Sequence, residues 1–293
     1  MTAWAMLACA AGAWAHISLP AGGATTGSDY EAAFRVSHPC EGARATTGIT
    51  VGLPKGFVFT RAQARQGWTL AIPRAGQAGG AGGEVRWTAD SPDAAVTGHA
   101  PAEFVVRGKV TAPPGPLYFK VLQRCDTGDA DWAELPGGTT GDKRDFPAPR
   151  LDVLAPGVAP VDVRDAWVRP TVPGQSGTGA FMKLEAPSGT RLVGVSTPVA
   201  GVAEVHTMKL EGDVMTMRAL KGGLALPPRQ TVELRPAGDH VMLMDLRQPL
   251  PRGASVPMTL HFEDAKGTKT SMELTLPVGA PDPAAAAPMA HMH

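Results

Sequence analysis

The chain has 293 residues, with 27 basic and 27 acidic side chains and no net formal charge. This length predicts about two domains with substantial cores, and the charge balance offers no electrostatic basis for binding nucleic acid. The 35 glycines and 28 prolines favour short strands joined by turns over long helices.

The first fifteen residues, MTAWAMLACAAGAWA, are apolar and end in Ala13-Trp14-Ala15. This pattern is typical of a secretory signal with a small-x-small cleavage site, although no Lys or Arg precedes the apolar run. The leader is therefore atypical, or the true start lies upstream. The run is too short to span a bilayer, and no later stretch is long enough. We therefore predict a signal peptide over 1–15, export to the periplasm and no membrane span.

Alternating apolar residues predict strands in both halves of the chain. The clearest runs are 49–53, 104–110, 117–122, 231–234, 256–262 and 272–276. Side chains spaced by two share one face of a strand and can be buried together. No segment has a long helical stripe, so the predicted class is all-β, with β-sandwiches or small barrels.

A Pro/Gly-rich stretch near the middle of the chain predicts a linker over 155–160. It separates predicted domains over 16–154 and 161–279. The remaining 280–293 is a Pro/Ala-rich tail without enough apolar surface to fold alone. Its His291 and His293, with two methionines, could hold copper loosely or stand there by chance.

The chain has three cysteines, of which Cys9 lies in the leader. Export leaves Cys40 and Cys125 as a pair in an oxidising compartment, which predicts a disulfide. The alternative is that both thiolates bind copper.

Imidazole and thioether groups recur at every second position in one part of the chain. The segments are His206-Thr-Met208, Met215-Thr-Met217 and His240-Val-Met242-Leu-Met244. Soft sulfur together with imidazole selects Cu(I), whereas methionine alone is a common core filler. The pattern therefore indicates copper handling.

A hairpin turning at 211–212 would place these ligands close together. In that register Met208 lies opposite Met215, and His206 lies opposite Met217. Opposed residues have Cβ atoms about 4.5–5.5 Å apart, so His206 and Met217 could share one metal ion. A shift in the turn would change these pairs.

From 163 to 278 the sequence resembles the PCuAC family of periplasmic copper(I) chaperones. The matching landmarks are Asp165-Ala-Trp167-Val-Arg169-Pro170, His206/Met208, Val214-Met215-Thr-Met217-Arg218, Leu226-Pro227 and Gly238-Asp-His240-Val-Met242-Leu. Ten residues separate His206 from Met217, as in the family, and twenty-two separate Met217 from His240, one more than usual. The resemblance implies a cupredoxin-like β-sandwich with Cu(I) bound by His206, Met217, His240 and Met242, and Met208 as an accessory. It also implies delivery to the copper centre of a respiratory oxidase, through an oxidase subunit or its assembly factor.

Cleavage after Ala15 would make His16 the first residue. Its amine and imidazole could chelate one ion, and nitrogen ligands in a flat arrangement suit Cu(II). Over 16–154 the sequence resembles the YcnI-like copper-binding domains. The landmarks are His16-Ile-Ser-Leu, Tyr30-Glu-Ala-Ala-Phe34-Arg-Val36, His38-Pro-Cys40-Glu41-Gly42, Thr46-Thr47, Gly67-Trp68, Leu117-Tyr118-Phe119, Cys125, Trp132-Ala-Glu134-Leu-Pro136 and Pro147-Ala-Pro149.

That resemblance implies a second sandwich, immunoglobulin-like or cupredoxin-like, with Cu(II) bound by His16 and a glutamate beside a tryptophan. Glu41 and Trp132 match best by position, and Glu31 competes for the role of the glutamate. His38, beside Cys40, is predicted to be a surface turn residue rather than a metal ligand.

These patterns predict a non-enzymatic periplasmic copper carrier with two unlike sites. Copper sequestration for resistance is one alternative, and an oxidative copper enzyme using His16 is another. No Ser-His-Asp or phosphate-loop pattern supports a hydrolase or a nucleotide-binding protein.

Overall fold

The computed structural model describes residues 17–72, 83–98, 100–137, 145–211 and 214–280. Within these ranges the chain is all-β, as predicted, and the one helical element is a 3₁₀ turn, Pro92–Ala94. None of the described helical structure is long and apolar enough to cross a membrane.

The described residues of the N-terminal unit form eleven strands in three sheets. They are β1 (Ala24–Thr25), β2 (Asp29–Val36), β3 (Thr46–Gly52), β4 (Phe57–Ala62), β5 (Trp68–Ala71), β6 (Glu84–Ala89), β7 (Ala102–Val110), β8 (Gly115–Tyr118), β9 (Lys120–Cys125), β10 (Asp129–Trp132) and β11 (Arg150–Leu154). The sheet orders are β1-β11-β8, β10-β9-β3-β6-β5 and β2-β7-β4.

Aromatic side chains fill the core of the N-terminal unit. The ring of Phe119 meets those of Phe34 and Phe57 edge to face, with centroids 5.4 and 5.2 Å apart. Phe119 also divides the single strand predicted over 117–122, because β8 pairs with β11 whereas β9 pairs with β3. The chain changes sheets at this fully buried residue.

Cys40 and Cys125 form the predicted disulfide, which joins residues 85 positions apart. The alternative in which both thiolates bind copper is therefore wrong, because each sulfur is bonded to the other.

In the C-terminal unit, ten strands in two sheets lie within the ranges that the structure describes. They are β12 (Asp162–Val168), β13 (Gly177–Glu185), β14 (Thr190–Ser196), β15 (Ala200–Glu211), β16 (Val214–Ala219), β17 (Leu224–Leu226), β18 (Val232–Leu234), β19 (His240–Leu246), β20 (Ser255–Asp264) and β21 (Lys269–Pro277). The six-stranded sheet runs β12-β13-β19-β15-β16, with β18 also paired to β13, and the four-stranded sheet runs β17-β14-β20-β21.

The core of the C-terminal unit includes inward-facing residues of both sheets, such as Val241 and Leu243 of β19 and Leu260 of β20. Because side chains alternate along a strand, His240 and Met242 project from the opposite, outer face of the six-stranded sheet. The alternation therefore separates the side chains predicted to bind metal from the core.

The two units have separate hydrophobic cores. Polar contacts join them beyond the 155–160 segment. Arg229 forms ion pairs with Glu103 and with Glu31, the latter at 3.5 Å, and Lys266 lies 3.6 Å from Asp29. These contacts place β2 and β7 of the N-terminal unit against one end of the C-terminal unit.

Candidate metal centres

The outer face of the six-stranded sheet brings the predicted Cu(I) ligands together. His206 of β15 pairs directly with His240 of β19, and their ring centroids are 6.1 Å apart. Paired residues project to the same face. Met208 and Met242, each two residues further along its strand, share that face.

The predicted hairpin register is wrong by one position of the turn. Glu211 pairs with Val214, so Met208 faces Met217 and His206 faces Ala219. Moving a two-residue turn by one position changes each partner by two residues, which preserves the side-chain phase. His206 and Met217 are therefore diagonal neighbours on one face, and they remain within reach of a common ion.

Most of these side chains line an open cavity of about 250 Å³, and His206 lies beside His240 outside its lining. We call the cavity together with His206 the His/Met site. Its lining includes Met208, Met217, His240 and Met242. His240 is only 7% exposed, whereas Met217 is 48% exposed and lies at the surface. The site therefore has a buried nitrogen end and an accessible sulfur end.

Two glycines of β13 make room for this cavity. Gly179 pairs with Met242, and Gly177 pairs with the next outward-facing residue of β19. A Cβ on Gly177 would lie 3.1 Å from the Met242 Cε, and one on Gly179 would lie 2.8 Å from the Phe181 Cζ. The Gly177-Thr-Gly179 sequence is a signal of this space, and the spacing of histidines and methionines does not include it.

Hydrogen bonds orient both imidazoles for metal binding. The Nδ1 of His240 lies 2.9 Å from the carbonyl oxygen of Gly238. A carbonyl only accepts, so Nδ1 carries the hydrogen and leaves the Nε2 lone pair for a metal. The Nε2 of His206 lies 3.2 Å from the Glu204 carboxylate, while its Nδ1 is buried and has no partner among the described residues. Two bare nitrogens beside thioether sulfurs fit Cu(I).

Aromatic rings cover one side of the His/Met site. Trp167 reaches this face because a β-bulge follows Arg164 in β12, and its ring lies 4.6 Å from that of Phe181. The Phe181 ring in turn lies 6.3 Å from His240, and the Arg169 guanidinium lies 5.2 Å above it. With this cover, the His240 side chain is largely shielded from solvent.

Two residues of the second predicted site, Trp132 and Glu41, lie within the described part of the N-terminal unit. Trp132 is 4% exposed, and its Nε1 donates a hydrogen bond to the Oε1 of Gln123 at 3.0 Å. The Nε2 of Gln123 donates to the main-chain oxygen of His38 at 2.9 Å. Glu41 is exposed in the turn after Cys40. His16 lies outside the described residues, as do His291 and His293.

The alternative glutamate, Glu31, is engaged elsewhere. Its carboxylate accepts a hydrogen bond from the Arg107 Nε at 2.6 Å and pairs with Arg229 of the C-terminal unit. Near the start of the described chain, Ser18 forms a β-bridge with Arg35 of β2. Arg35 is four residues further along that strand than Glu31. The choice of Glu41 as the glutamate ligand stays a prediction.

Two family models match the chain. Residues 16–153 match the domain of unknown function DUF1775, and residues 161–278 match the LpqE-like lipoprotein model. The N-terminal part is thus similar to DUF1775 domains, which are YcnI-like, and the C-terminal part is similar to LpqE-like domains, which are of PCuAC type. The resemblances found in the sequence are confirmed.

Individual relatives each match part of the chain. "Putative lipoprotein Lxx21020" of Leifsonia xyli subsp. xyli is 35% identical over 106 residues, which cover 36% of this chain and 63% of that protein. An uncharacterized Nocardia farcinica protein with an immunoglobulin-like fold is 30% identical, with a TM-score of 0.40, over 47% of this chain and 97% of that chain. The Cu(I) form of DR1885 from Deinococcus radiodurans is 30% identical, with a TM-score of 0.33, over 43% of this chain and 79% of that chain. This chain thus spans less than two thirds of the Leifsonia relative.

Proposed function

We propose that this protein is a copper carrier that binds Cu(I) at the His/Met site. The ligands are His206, Met217, His240 and Met242, and Met208 is an accessory sulfur donor. The observation that supports this assignment most strongly is the convergence of both imidazoles and the thioethers on one face, next to a single cavity.

The shape of the site suits a carrier better than an enzyme. Thioethers are weak, soft ligands that favour Cu(I) and release it to a stronger acceptor by ligand exchange. The surface position of Met217 gives an acceptor access to the ion, whereas the buried His240 keeps the ion in place until exchange begins. We therefore propose transfer of Cu(I) to an acceptor protein as the function.

The proposed N-terminal site binds Cu(II). Its ligands are the amine and imidazole of His16 and the carboxylate of Glu41, with Trp132 as a neighbour. The DUF1775 match begins at residue 16, where we place the mature N-terminus. The proposed organisation is a signal peptide over 1–15, domains over 16–154 and 161–279 joined by 155–160, and a tail over 280–293.

We propose that the protein acts in the cell envelope after export and delivers copper to a respiratory oxidase subunit or its assembly factor. The LpqE-like match and the Leifsonia relative are both named for lipoproteins, which is in keeping with an envelope location. Sequestration differs from delivery in one measurable respect: deletion would change copper tolerance without lowering the copper content of an acceptor.

Competition titration with a chromophoric Cu(I) chelator tests the His/Met site. Met217→Leu and Met242→Leu keep the side-chain volume but remove the sulfur, so each should weaken Cu(I) binding at least about tenfold. Met258→Leu is the matched control, because Met258 is buried in the core rather than at the site. Equal affinities in all three variants would reject the assignment.

A further inference from the structure

A neighbouring carboxylate holds the imidazole of His206 at its distal nitrogen. The Nε2 of His206 lies 3.2 Å from a carboxylate oxygen of Glu204, which is two residues earlier on β15. Both side chains project to the same face, because residues two apart on a strand share a face. An ionised carboxylate only accepts hydrogen bonds, so Nε2 carries the ring hydrogen and donates it to Glu204. In the neutral ring the lone pair is then on Nδ1.

The Nδ1 of His206 is buried and has no hydrogen-bond partner within the described ranges. The whole side chain is only 12% exposed, so water has little access to this nitrogen. A buried nitrogen without a partner costs free energy, and an ion bound at its lone pair would offset that cost. Nδ1 is therefore the nitrogen at which His206 can bind an ion.

The ring of His240 is held in the opposite sense. Its Nδ1 donates to the carbonyl oxygen of Gly238 at 2.9 Å, so Nε2 carries the lone pair. The ring centroids of His206 and His240 are 6.1 Å apart. A metal ion lies about 2.0 Å from a ligating nitrogen, which places it about 3.2 Å from the centroid of that ring. Two rings that share one ion can therefore have centroids up to about 6.4 Å apart, and the observed separation falls within this limit.

Glu204 is placed to act on the imidazole rather than on the ion. It pairs directly with Met242 of β19, so its side chain stands on the face that carries the proposed ligands. The Glu204 side chain is 48% exposed, and solvent screens the electrostatic effect of an exposed carboxylate. The hydrogen bond to His206 has a different effect, because it occupies Nε2 and fixes the rotation of the ring.

We propose that Glu204 is a positioning residue of the His/Met site, which makes His206 bind Cu(I) through Nδ1 while His240 binds through Nε2. This inference rests on the function proposed for that site. Glu204 acts through the imidazole and does not touch the ion. The carbonyl of Gly238 has the same effect on His240, but only the contact of Glu204 comes from a side chain that substitution can remove.

Nuclear magnetic resonance of the full chain, with ¹⁵N-labelled histidine, tests which nitrogen binds. The His206 signals are those missing from His206→Gln. In the metal-free protein at alkaline pH, where imidazoles are neutral, the ring should show a bare Nδ1 and an Nε2–H that exchanges slowly with water. Cu(I) is diamagnetic, so adding it under argon should shift the Nδ1 signal and leave the Nε2–H signal in place.

Substitutions of Glu204 test the positioning role. Glu204→Ala removes the acceptor, so the slowly exchanging Nε2–H signal should disappear and the Cu(I) dissociation constant from chelator competition should rise about 10- to 100-fold. Glu204→Gln keeps an oxygen that accepts from Nε2–H, so it should keep both that signal and an affinity close to the wild type. Glu273→Ala is the control, because Glu273 is an exposed residue of β21 in the other sheet, and it should change neither quantity.

A Cu(I)-induced shift at Nε2 of wild-type His206 would overturn the inference while the Cu(I) site stands, and this result does not depend on whether any Glu204 variant folds. An unchanged affinity in Glu204→Ala would overturn it as well. So would an equal loss of affinity in Glu204→Gln and Glu204→Ala, because charge rather than hydrogen bonding would then be responsible. If Cu(I) shifts no signal of His206 or His240, the proposed function and the inference both fail.

Discussion

Gly177 allows the geometry of the His/Met site to be tested without changing a ligand. Gly177→Val places a Cβ about 3.1 Å from the Met242 Cε and 3.2 Å from the Leu243 carbonyl oxygen, closer than ordinary contacts. The methyl groups of valine then compete with the Met242 thioether for the same space. Because β-branched residues favour strands, the change should not weaken β13 itself.

The size of the effect follows from the cost of overpacking. Inserting methyl groups into a filled space typically costs about 1–3 kcal/mol. If this cost falls on the copper-bound arrangement, Cu(I) binding weakens by about 5- to 150-fold. Gly177→Ala adds the Cβ alone, and the flexible end of Met242 can move by a few tenths of an ångström. This variant should therefore weaken Cu(I) binding by about fivefold or less.

Chelator competition measures the affinity, and Gly194→Val provides the matched control. A Cβ on Gly194 of β14 meets its nearest atom, the His261 Cδ2, at an ordinary 3.7 Å. The expected order of Cu(I) affinity is wild type equal to the Gly194 variant, then Gly177→Ala, then Gly177→Val. An unchanged affinity in Gly177→Val, with an intact fold, would refute the placement of Met242 as a ligand.

Two further predictions concern the N-terminal unit. Replacing Cys40 and Cys125 by serine should lower its free energy of unfolding by about 4.5 kcal/mol, because the disulfide joins residues 85 positions apart. Calorimetry should show one unfolding transition moving to lower temperature, and an unchanged transition temperature would contradict this prediction. Backbone hydrogen bonds from Arg44 and Ala45 lower the pKa of Asp126, so its stabilising effect is present at neutral pH and is lost as pH falls through the folded-state pKa. Asp126→Ala should therefore lower the melting temperature at about pH 7 and converge with the wild type near pH 2, whereas a constant difference would rule the linkage out.

The arrangement of the candidate ligands could be predicted from the sequence because alternation fixes the face of each side chain. His206 and Met208 had to share a face, whatever the position of the turn. The cross-strand partner of each residue depended on which two residues form the turn, and the sequence does not specify the turn position strongly. The error exchanged Met215 for Met217 opposite Met208 without moving Met217 off the ligand face.

The supporting contacts could not be predicted in the same way. The hydrogen bond from His240 to Gly238 and the space left by Gly177 depend on how a loop and a separate strand lie against β19. His38 was expected to be a surface turn residue because its neighbours in sequence are turn formers. Its Nε2 is nevertheless buried, since residues as distant as Gln123 and Gly98 pack around the loop.

The two proposed copper sites lie at different distances from the boundary between the units. Ser18, where the described chain starts, bridges to Arg35, which pairs with Glu103, the ion-pair partner of Arg229. Ser18, two residues after His16 in the sequence, is therefore near this boundary. The fusion raises the effective concentration of one site near the other only if their geometry lets them meet.

The His/Met site lies further away along β13. Arg229 donates its main-chain N–H to the carbonyl of Ala186, seven residues beyond Gly179. At about 3.3 Å per residue the separation is about 23 Å. An ion cannot pass directly over that distance, so transfer between the proposed sites within one chain would require the units to change their arrangement. The Arg229 ion pairs with Glu31 and Glu103 are partly exposed, and such pairs contribute only about 0–1 kcal/mol each. On the proposed function, each site would exchange copper with an acceptor protein independently while the units stay in this arrangement.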